Sequence, residues 1–496
     1  MRGEFIESAR FDMLGDMTPF RIAGNLYFVG TYAASCHMID TGEGLILIDV
    51  GYSETADAVE ESLGILGYDV KDVKYILVSH GHGDHSDGVP KIIAKSGAKC
   101  LMHKADNIYL KGFLPDGYLH DGDVVKLGNT EILCLHTPGH TEGVMSFFFD
   151  LTENGKIYRA GMFGGAGVNQ LKKSYIDRHM LPFSLRADYL ASLERLRGES
   201  VDIFIGNHTW NNKTRENYES MQGDPSVNPF IDSTKWRSFL DRCEEKLCAM
   251  IDSESRVSFV NYAHRGASEY LPENTFSSFD LGISMGANGI ETDVRRAADG
   301  TLILFHDSTL ERMTGEIGKP EDYTYAELLK FDVKKNGHTD KIVSLEDFLH
   351  RYSQLDLNFA IELKGDGVEK DTADLLRKYD MKKKAFVTSF DLAMLESFKK
   401  YAPEFRIGYL TKDISEKTLA ELKRIGADEL CPIAREIDRE KVLHWHREGF
   451  NVRAWGVDSK ETMKNVYDSG ADGMTVNFPD LLTEYIKEKN IISEDK

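Results

Sequence analysis

The spacing of hydrophobic residues changes between the two halves of the chain. Between about Phe20 and Asp150, short apolar runs of strand length alternate with polar turns and one or two helices. This mixture indicates paired β-sheets with helices packed outside them. The runs are NLYFVG, GLILIDV, YILVS, EILCLH and VMSFFFD. From Ser258 onward, strand-like runs alternate with longer amphipathic helices, the βαβ rhythm of a parallel sheet or barrel.

One amphipathic helix separates the two patterns. Its apolar residues recur at spacings of three and four, which marks one helix face. They are Trp236, Phe239, Leu240, Cys243, Leu247 and Met250. The polar stretch 252–256 follows, and we place the boundary there. The sequence thus predicts two domains, 1–252 and 257–496, which suits a chain of 496 residues.

The number of strand-like runs decides the architecture of the second half. They are SFVNYAH, GIETDV, NFAIELK, AFVTSF, RIGYL, ELCPI, NVRAWGV and GMTVNF. Eight parallel strands with intervening helices predict a TIM (β/α)8 barrel. A further run, TLILFHD, follows an Asp-Gly turn at 299–300, which predicts a hairpin and not a ninth barrel strand. The hairpin would bring His306 back towards Glu291 and Asp293, at the strand ends where barrel active sites lie.

Composition excludes several classes of function. The chain is 41% hydrophobic and 28% charged, which is ordinary for globular proteins. Sixty Lys and Arg against 81 Asp and Glu give a net charge of −21. Such a charge disfavours nucleic acid and anionic membranes as partners, because the field of the protein repels polyanions. A small anionic substrate stays compatible if a metal ion or local Arg and Lys residues supply positive charge.

Cysteine usage and the N-terminus bear on the compartment. Six cysteines without C-x-x-C spacing argue against a disulfide scaffold and against a thiolate zinc site. The N-terminal segment MRGEFIESAR lacks a hydrophobic signal region. No apolar run reaches the roughly 18 residues that a membrane helix needs. We therefore expect a soluble protein without an integral membrane segment, in a reducing compartment and most simply in the cytoplasm.

The densest chemical signal is the segment His80-Gly-His82-Gly-Asp84-His85, directly after a strand-like run. Side chains two apart on an extended backbone point the same way, so His80 and His82 can share one metal ion. Asp84 and His85 lie past the turn and aim elsewhere. Three imidazoles and a carboxylate at a strand end suit zinc or a similar ion. A surface loop of purely structural histidines is the alternative, and the density of these residues disfavours it.

Two later histidines complete a recognisable order, His140 in Thr-Pro-Gly-His-Thr and His208 in Gly-Asn-His. The series H-x-H-x-D-H, G-H and H resembles the metallo-β-lactamase superfamily over roughly residues 18–250. The resemblance implies an αββα sandwich with two adjacent zinc ions, whose shared water is the nucleophile. It implies His80, His82 and His140 as ligands of the first ion and Asp84, His85 and His208 as ligands of the second. Asp49 matches a recurrent aspartate that orients a ligand imidazole.

The chain departs from this superfamily at Gly161-Met162. Members that cleave phosphodiesters or thioesters usually have a bridging aspartate in a Gly-Asp pair there. A thioether is a poor ligand for such ions, so the second ion would lack a bridging carboxylate, as in one β-lactamase subclass. This disfavours phosphodiesterase or glyoxalase-type chemistry for the first domain. No Lys-Ser/Thr pair follows the glycines of 161–167, which we interpret as an ordinary mobile loop.

Charged side chains also gather at the ends of the barrel strands. The set consists of three carboxylates, two histidines and two cations: Glu291, Asp293, Glu362, His264, His306, Arg265 and Lys364. The three carboxylates would form a cage for calcium or magnesium. The histidines are available as a general acid and base, and the cations can hold phosphate oxygens. One E-x-D motif alone would more often be a solvated strand end, but the combination favours an active site.

The same segments resemble the glycerophosphodiester phosphodiesterase family from about residue 258 to 488. The matching segments are 264–266, 272–275, 290–294, 306–310 and 361–364, together with Trp455. The resemblance implies metal-dependent release of glycerol 3-phosphate and an alcohol. We interpret Glu273 and Asn274 as helix-start residues at the barrel mouth. Trp455 is either a wall of the alcohol pocket or an ordinary buried tryptophan.

One departure from this family lies near the end of the barrel. Members often have Thr-Asp-x-Pro where this chain has Val476-Asn477-Phe478-Pro479. We expect this difference to alter the mouth and not the chemistry.

The sequence therefore predicts a bifunctional metal-dependent hydrolase with a small-molecule glycerophosphodiester as the barrel's substrate. In the barrel, one histidine would deprotonate a glycerol hydroxyl or water, and the other would protonate the leaving alkoxide. A related phospholipase-type phosphodiesterase is the alternative for the barrel. For the first domain the alternatives are amide, lactone or phosphoester hydrolysis, or a non-catalytic regulatory module. The leaving alcohol and the oligomeric state stay open.

Overall fold

The computed structural model describes residues 18–32, 34–254 and 259–494. The described chain divides into two compact units. The first unit holds the residues up to Tyr175 and Leu185–Ala249, and the second unit holds Ile176–Ser184 and the residues from Met250 onward. Residues 255 and 256 of the predicted boundary stretch and the segment MRGEFIESAR lie outside the described residues. The domain limits at 252 and 257 stay a prediction.

Two β-sheets form the centre of the first unit. The first has the order β1 to β7 and the second the order β12-β11-β10-β9-β8. Their strands are β1 Phe20–Ala23, β2 Leu26–Phe28, β3 His37–Asp40, β4 Leu45–Ile48, β5 Val73–Leu77, β6 Lys99–Met102, β7 Gly117–Tyr118, β8 Asp123–Leu127, β9 Thr130–His136, β10 Met145–Glu153, β11 Lys156–Met162 and β12 Ile203–Phe204. The five predicted runs correspond to β2, β4, β5, β9 and β10.

Strand β4 shows why continuous apolar runs form these sheets. Ile46 and Ile48 point into the core between the two sheets, with Phe147 of β10. Leu45 and Leu47 alternate to the opposite face and pack with helix residues. Both faces of the strand are buried, so the sequence shows an unbroken apolar run instead of alternation.

Helices cover the outer faces of both sheets. The helices up to residue 254 are α1 Ala56–Ile65, α2 Gly83–Ser86, α3 Val89–Ser96, α4 Lys173–His179, α5 Leu185–Arg197, α6 Thr214–Gly223 and α7 Thr234–Glu254. Helices α1 and α3 pack on the first sheet. Trp236 of α7 packs edge-on against Phe148 and Phe204 of the second sheet. The layers are helix, sheet, sheet and helix, which confirms the predicted αββα sandwich.

The second unit is built on a closed barrel of parallel strands. The barrel strands are β13 Val260–His264, β14 Gly289–Arg296, β18 Asn358–Leu363, β19 Ala385–Ser389, β20 Arg406–Thr411, β21 Glu429–Pro432, β22 Asn451–Val457 and β23 Gly473–Val476. Pairing of β13 with both β14 and β23 closes the ring. This confirms the TIM barrel and all eight predicted strands.

Further elements surround the ring. Strand β15 Leu302–Leu304 pairs antiparallel with β14, which confirms the predicted hairpin, and β16 Val333–Lys335 pairs with β17 His338–Asp340. The helices are α8 Phe276–Ser284, α9 Glu311–Thr314, α10 Tyr325–Leu328, α11 Leu345–Tyr352, α12 Glu369–Lys378, α13 Leu392–Tyr401, α14 Glu416–Arg424, α15 Arg439–Arg447, α16 Lys460–Asp468 and α17 Pro479–Glu494. Within the described residues, no helix has the length and apolar character needed to cross a membrane.

Candidate functional site

The six predicted ligand side chains of the first unit converge at one edge of the sandwich. The imidazole of His80 lies at the centre, with ring centroids 4.9 Å from His82, 4.8 Å from His140 and 4.3 Å from His85. The ring of His208 lies 5.0 Å from that of His85. Donor atoms of His80, His82 and His140 all lie within 4.8 Å of one another, as do those of His80, Asp84 and His85.

Backbone carbonyls fix the orientation of two of these rings. Nδ1 of His80 donates to the carbonyl of Gly164 at 2.9 Å, and Nδ1 of His140 donates to Gly167 at 2.7 Å. In each ring the opposite nitrogen, Nε2, is therefore left with its lone pair for a metal ion. Nε2 of His140 lies 3.1 Å from Nδ1 of His82.

Asp49 orients the second group of donors. It is fully buried, and its Oδ2 accepts from Nδ1 of His85 at 2.8 Å and from the Ser79 hydroxyl at 2.7 Å. Nε2 of His85 is buried without a hydrogen-bond partner and lies 3.4 Å from Oδ2 of Asp84. The same carboxylate oxygen lies 3.6 Å from Nε2 of His208. This orphaned nitrogen beside a carboxylate fits a zinc-type ion.

Burial keeps several of the imidazoles neutral. It lowers the pKa of His82 to about 4 and, with the nearby His82, the pKa of His140 to about 3. Burial and the neighbouring imidazoles lower the pKa of His80 well below its usual value. Burial alone would raise the pKa of Asp84, but the neighbouring His85 has the larger effect, so the pKa of Asp84 is lowered. Neutral imidazoles and an ionised carboxylate are the forms that bind metal ions. His85 differs from the other imidazoles, because Asp49 and Asp84 outweigh the effect of burial and raise its pKa to about 10.

Met162 packs in the apolar core between the two sheets. The glycine-rich segment after it is more than a connecting loop, because Gly164 and Gly167 supply the carbonyls that orient His80 and His140. A Cβ at Gly164 would lie 2.0 Å from the carbonyl oxygen of Met145, so only glycine fits there.

Asp106 is a residue of this site that the sequence did not indicate. It is fully buried, and its carboxylate accepts from the backbone N–H groups of Gly81 at 2.7 Å and Gly143 at 2.8 Å. It also accepts from the Thr141 hydroxyl at 2.7 Å. Gly81 lies between His80 and His82, so Asp106 ties that loop to the one that follows His140. A Cβ at Gly81 would lie 2.6 Å from the carbonyl oxygen of Asp106, so glycine allows this close approach.

In the barrel, strand register brings the predicted carboxylates together. Asp293 of β14 pairs with Glu362 of β18, and His264 of β13 pairs with Glu291. Glu291, Asp293 and Glu362 are buried, and their ligand oxygens lie within 4.8 Å of one another. Ile290 of β14 points outward to the helices instead, as strand alternation requires.

The electrostatics of this cage favour a divalent cation. Burial and the Asp293 charge raise the pKa values of Glu291 and Glu362. The pKa of Asp293 is lowered, because Arg265 and Lys364 outweigh the effect of burial. Oδ1 of Asp293 is buried and accepts no hydrogen bond. Three carboxylates with an orphaned oxygen fit a hard ion of the calcium or magnesium type.

The two predicted phosphate-binding cations lie against the cage. Nε of Arg265 lies 3.1 Å from Asp293, and Nζ of Lys364 lies 2.7 Å from Glu362. Arg265 has a left-handed backbone, with φ of 56°, directly after His264. A non-glycine residue held in this region is typical of functional turns.

Each predicted catalytic histidine has a different partner. Nδ1 of His264 donates to Oδ1 of Asn477 at 2.5 Å, and Nδ1 of His306 donates to the carboxylate of Asp307 at 2.7 Å. Burial and Arg265 lower the pKa of His264 to about 4. Burial also lowers the pKa of His306, and Asp293 and Asp307 oppose that effect. Asn477, where members of the family often have Asp, is thus the hydrogen-bond partner of His264. The sequence did not indicate this contact.

Arg312 and Glu273 link the two sides of the barrel site. The guanidinium of Arg312 donates to Asp307 at 2.5 Å and to Glu273 at 2.6 Å, and Glu273 also accepts from Arg265 at 2.8 Å. Glu273 is therefore more than a helix-start residue, since the side-chain cap of α8 is Thr275.

Asn274 has a second role of its own. Its Nδ2 donates to Asp293 at 2.9 Å, and its Oδ1 accepts from Thr292 at 2.7 Å. The predicted helix-start segment therefore contributes directly to the carboxylate cage.

A cavity of about 430 Å³ opens above the barrel site. His264, His306 and Lys364 are among the residues that line it. Trp455 and Phe390 line it as well, in edge-to-face contact with ring centroids 4.8 Å apart. The cavity therefore combines acid–base groups and cations with aromatic side chains, which suits a phosphodiester with an organic substituent.

Two family models match the chain. The glycerophosphoryl diester phosphodiesterase family matches residues 264–481, and the metallo-beta-lactamase superfamily matches residues 29–208. Both are hydrolase families, and each match falls on one of the two sites. The chain is thus an enzyme of the hydrolase class.

Curated relatives and solved structures are similar to parts of the chain. A glycerophosphodiester phosphodiesterase of Caldanaerobacter subterraneus is 30% identical over 46% of this chain and 97% of its own length. Another, of Bacillus altitudinis, is 31% identical over 44% and 94%. Among solved structures, the FEZ-1 metallo-beta-lactamase of Legionella gormanii is 30% identical, covering 49% of this chain and 99% of that one, with a TM-score of 0.47. The chain therefore belongs to the glycerophosphodiester phosphodiesterase family through its barrel and carries a metallo-β-lactamase superfamily domain before it.

Proposed function

We propose that the barrel hydrolyses glycerophosphodiesters to glycerol 3-phosphate and an alcohol, through His264 and His306. The observation that carries the proposal is the convergence of both histidines, a three-carboxylate cage and two cations on one cavity. The phospholipase-type alternative lacks this support, since the relatives that match the barrel are named glycerophosphodiester phosphodiesterases.

Calcium or magnesium, held by Glu291, Asp293 and Glu362, would supply positive charge for the phosphate oxygens. Lys364 and Arg265 add two further cations at the edge of the cage. This local positive charge attracts an anionic substrate to the site, although the protein as a whole has a net charge of −21.

The partners of the histidines suggest how the acid–base work is divided. His264 donates from Nδ1 to a neutral amide, so its Nε2 is a free base near neutral pH. We assign it as the group that deprotonates the nucleophile, either the neighbouring glycerol hydroxyl or water. His306 donates to the Asp307 carboxylate, which opposes the lowering of its pKa by burial and favours the imidazolium form more than the amide beside His264 does. We assign it as the acid that protonates the leaving alkoxide.

For the first unit we propose a dinuclear zinc hydrolase that acts on an ester, lactone, amide or phosphoester. His80, His82 and His140 would hold one ion and Asp84, His85 and His208 the other, with Asp49 orienting His85. Zinc would supply Lewis acidity and an activated water. The complete donor set supports catalysis over a regulatory module, and the buried Met162 disfavours the phosphoester version.

We make two further proposals, on the relation between the two substrates and on the cellular location. Fusion of two hydrolases raises the effective concentration of a shared intermediate, so we propose that the two substrates are metabolically linked. We also propose a cytoplasmic location, supported by the cysteines, all six of which are free thiols.

Product analysis with the full chain tests both halves. Glycerol 3-phosphate release from glycerophosphoethanolamine should stop in His306→Ala and persist in His82→Ala. A panel of lactones, β-lactams, thioesters and phosphoesters should show the opposite dependence. If zinc-loaded protein cleaved none of the panel, the regulatory-module alternative would replace the hydrolase proposal for the first unit.

A further inference from the structure

The first unit contains a second cavity, of about 380 Å³, between α7 and the segment that precedes α6. Four cationic residues line it: Lys213, Lys235, Arg242 and Lys246. No acidic residue is among the described residues that line it. This composition stands out in a chain that has 81 acidic and 60 basic residues.

On helix α7, basic residues lie on one face and the acidic residues Asp241 and Glu244 lie on the neighbouring face. Lys235, Arg242 and Lys246 follow one another at spacings of seven and four, so they share the face that lines the cavity. Asp241 and Glu244 lie on the neighbouring face, where both bind Arg197, at 3.0 and 2.5 Å. Asp241 and Glu244 therefore do not neutralise the cations of the cavity.

The cations of the cavity lack carboxylate partners. Within the described part of the chain, no carboxylate lies within 4 Å of Lys213, Arg242 or Lys246. Lys235 donates to neutral oxygens, those of Pro229 at 2.5 Å and Asn217 at 3.3 Å. Like charges four apart on a helix, as at Arg242 and Lys246, are destabilising unless an anion lies between them.

The remainder of the lining is apolar and aromatic. Phe204, Phe239 and Cys243 form buried lining. Trp210 is 57% exposed and stacks on His208 with ring centroids 4.3 Å apart and an angle of 9°. The cavity therefore offers both charge and an apolar surface.

We propose that this cavity binds a small organic phosphate. Four cations suit a group with two negative charges, whose oxygens can each accept from a different side chain. The volume suits a small molecule, and the apolar lining suits its organic part. The site is separate from the six predicted metal ligands, although Trp210 contacts one of them. Binding of a phosphate in this cavity does not depend on the reaction that either catalytic site performs.

Calorimetric titration of the full chain with glucose 6-phosphate tests the proposal, because glycerol 3-phosphate, the proposed product of the barrel, would also bind at the barrel site. Replacing Arg242 and Lys246 by Gln removes two cations at exposed positions, where folding should be unaffected. We expect Kd to rise at least roughly tenfold, the factor that corresponds to about 1.4 kcal/mol. Arg237→Gln is the matched control, because it removes a cation from an exposed position of α7 outside the cavity lining, and it should leave Kd unchanged.

Tryptophan fluorescence gives a second readout. Trp236 and Trp445 are buried, whereas Trp210 is exposed in this cavity and Trp455 lines the barrel cavity. In a Trp455→Phe background, a saturable response to glucose 6-phosphate should come from Trp210 and disappear in Trp210→Phe. Inorganic phosphate should compete, and glucose should not. The proposal is overturned if the Arg242→Gln/Lys246→Gln variant binds as tightly as the parent protein, if Arg237→Gln weakens binding equally, or if chloride at equal concentration displaces the ligand.

Discussion

Asn477 holds His264 through a hydrogen bond of 2.5 Å from Nδ1 of the imidazole to Oδ1 of the amide. The Ser268 hydroxyl donates to the same oxygen at 3.0 Å, which fixes the amide as an acceptor. A neutral partner gives the imidazolium form of His264 less stabilisation than a carboxylate would.

Asn477→Asp should therefore raise the pKa of His264 from its low value of about 4. The sign follows from charge, because a carboxylate beside the ring favours the protonated form. NMR titration of the His264 ring in the metal-loaded protein measures the shift, and Ser268→Ala serves as a control that adds no charge. An unchanged or lower pKa would show that the hydrogen bond does not form.

Loss of either barrel histidine should reduce turnover strongly. We expect His264→Ala and His306→Ala to lower kcat for glycerophosphodiester hydrolysis by roughly 10² to 10⁴, the usual cost of losing a general acid or base. Steady-state kinetics at saturating metal measures the effect. His350→Ala, on helix α11 outside the cavity lining, is the control. Near-normal turnover in both active-site variants would refute the assignment.

Arg312 should act as a positioning residue, since it bridges Asp307 and Glu273. Arg312→Lys keeps the charge but cannot bridge two carboxylates, so kcat should fall about tenfold or more. Added guanidine should partly rescue Arg312→Ala. Arg424→Met removes a bidentate arginine from the outer helix α14 and should have no effect. Absence of rescue together with an unfolded variant would favour a purely structural role.

Asp106→Asn should weaken zinc binding by the first unit. An amide cannot accept all three hydrogen bonds that the carboxylate accepts from Gly81, Thr141 and Gly143. We expect a loss of roughly 10- to 100-fold in zinc affinity, measured by chelator competition. Asp116→Asn, which removes a carboxylate bound to the Cys100 N–H, is the control. Equal affinity in both variants would contradict the role of Asp106.

The two sites should select different metal ions. Imidazole-rich coordination at His80, His82 and His140 favours zinc, and the carboxylates in the barrel favour calcium or magnesium. Glu362→Gln should abolish stimulation of the barrel by calcium or magnesium while leaving the zinc content unchanged. Metal analysis of the full chain and this variant tests the claim. Equal zinc occupancy of both sites would contradict it.

The sequence predicted those parts of the sites that depend on local spacing. Alternation along β14 places Glu291 and Asp293 on one face, and the ends of parallel strands meet at one mouth. For the first unit, local spacing indicated only that His80 and His82 can share a metal ion. The convergence of all six donor residues was implied by the family resemblance. The barrel followed from apolar runs that are long and regular enough to identify. The runs of the first half indicated paired sheets with helices outside them, and the αββα sandwich was implied by the family resemblance.

Contacts between segments that are distant along the chain could not be predicted from the sequence. Asn477 meets His264 across 213 residues, and nothing local to either position indicates the pairing. The carbonyl of Gly164 that orients His80 carries no side-chain signal at all. Asp106 looks like an ordinary loop residue until folding brings two loops around it. Such contacts depend on tertiary packing, which local patterns do not encode.

Phosphorus NMR of glycerophosphoethanolamine incubated with the full chain tests the central claim most directly. The account predicts glycerol 3-phosphate as the phosphorus product with the parent protein and with His82→Ala, and almost none with His306→Ala. Release that persists in His306→Ala but stops in His82→Ala would contradict it, because the phosphodiesterase would then lie in the first unit and not in the barrel.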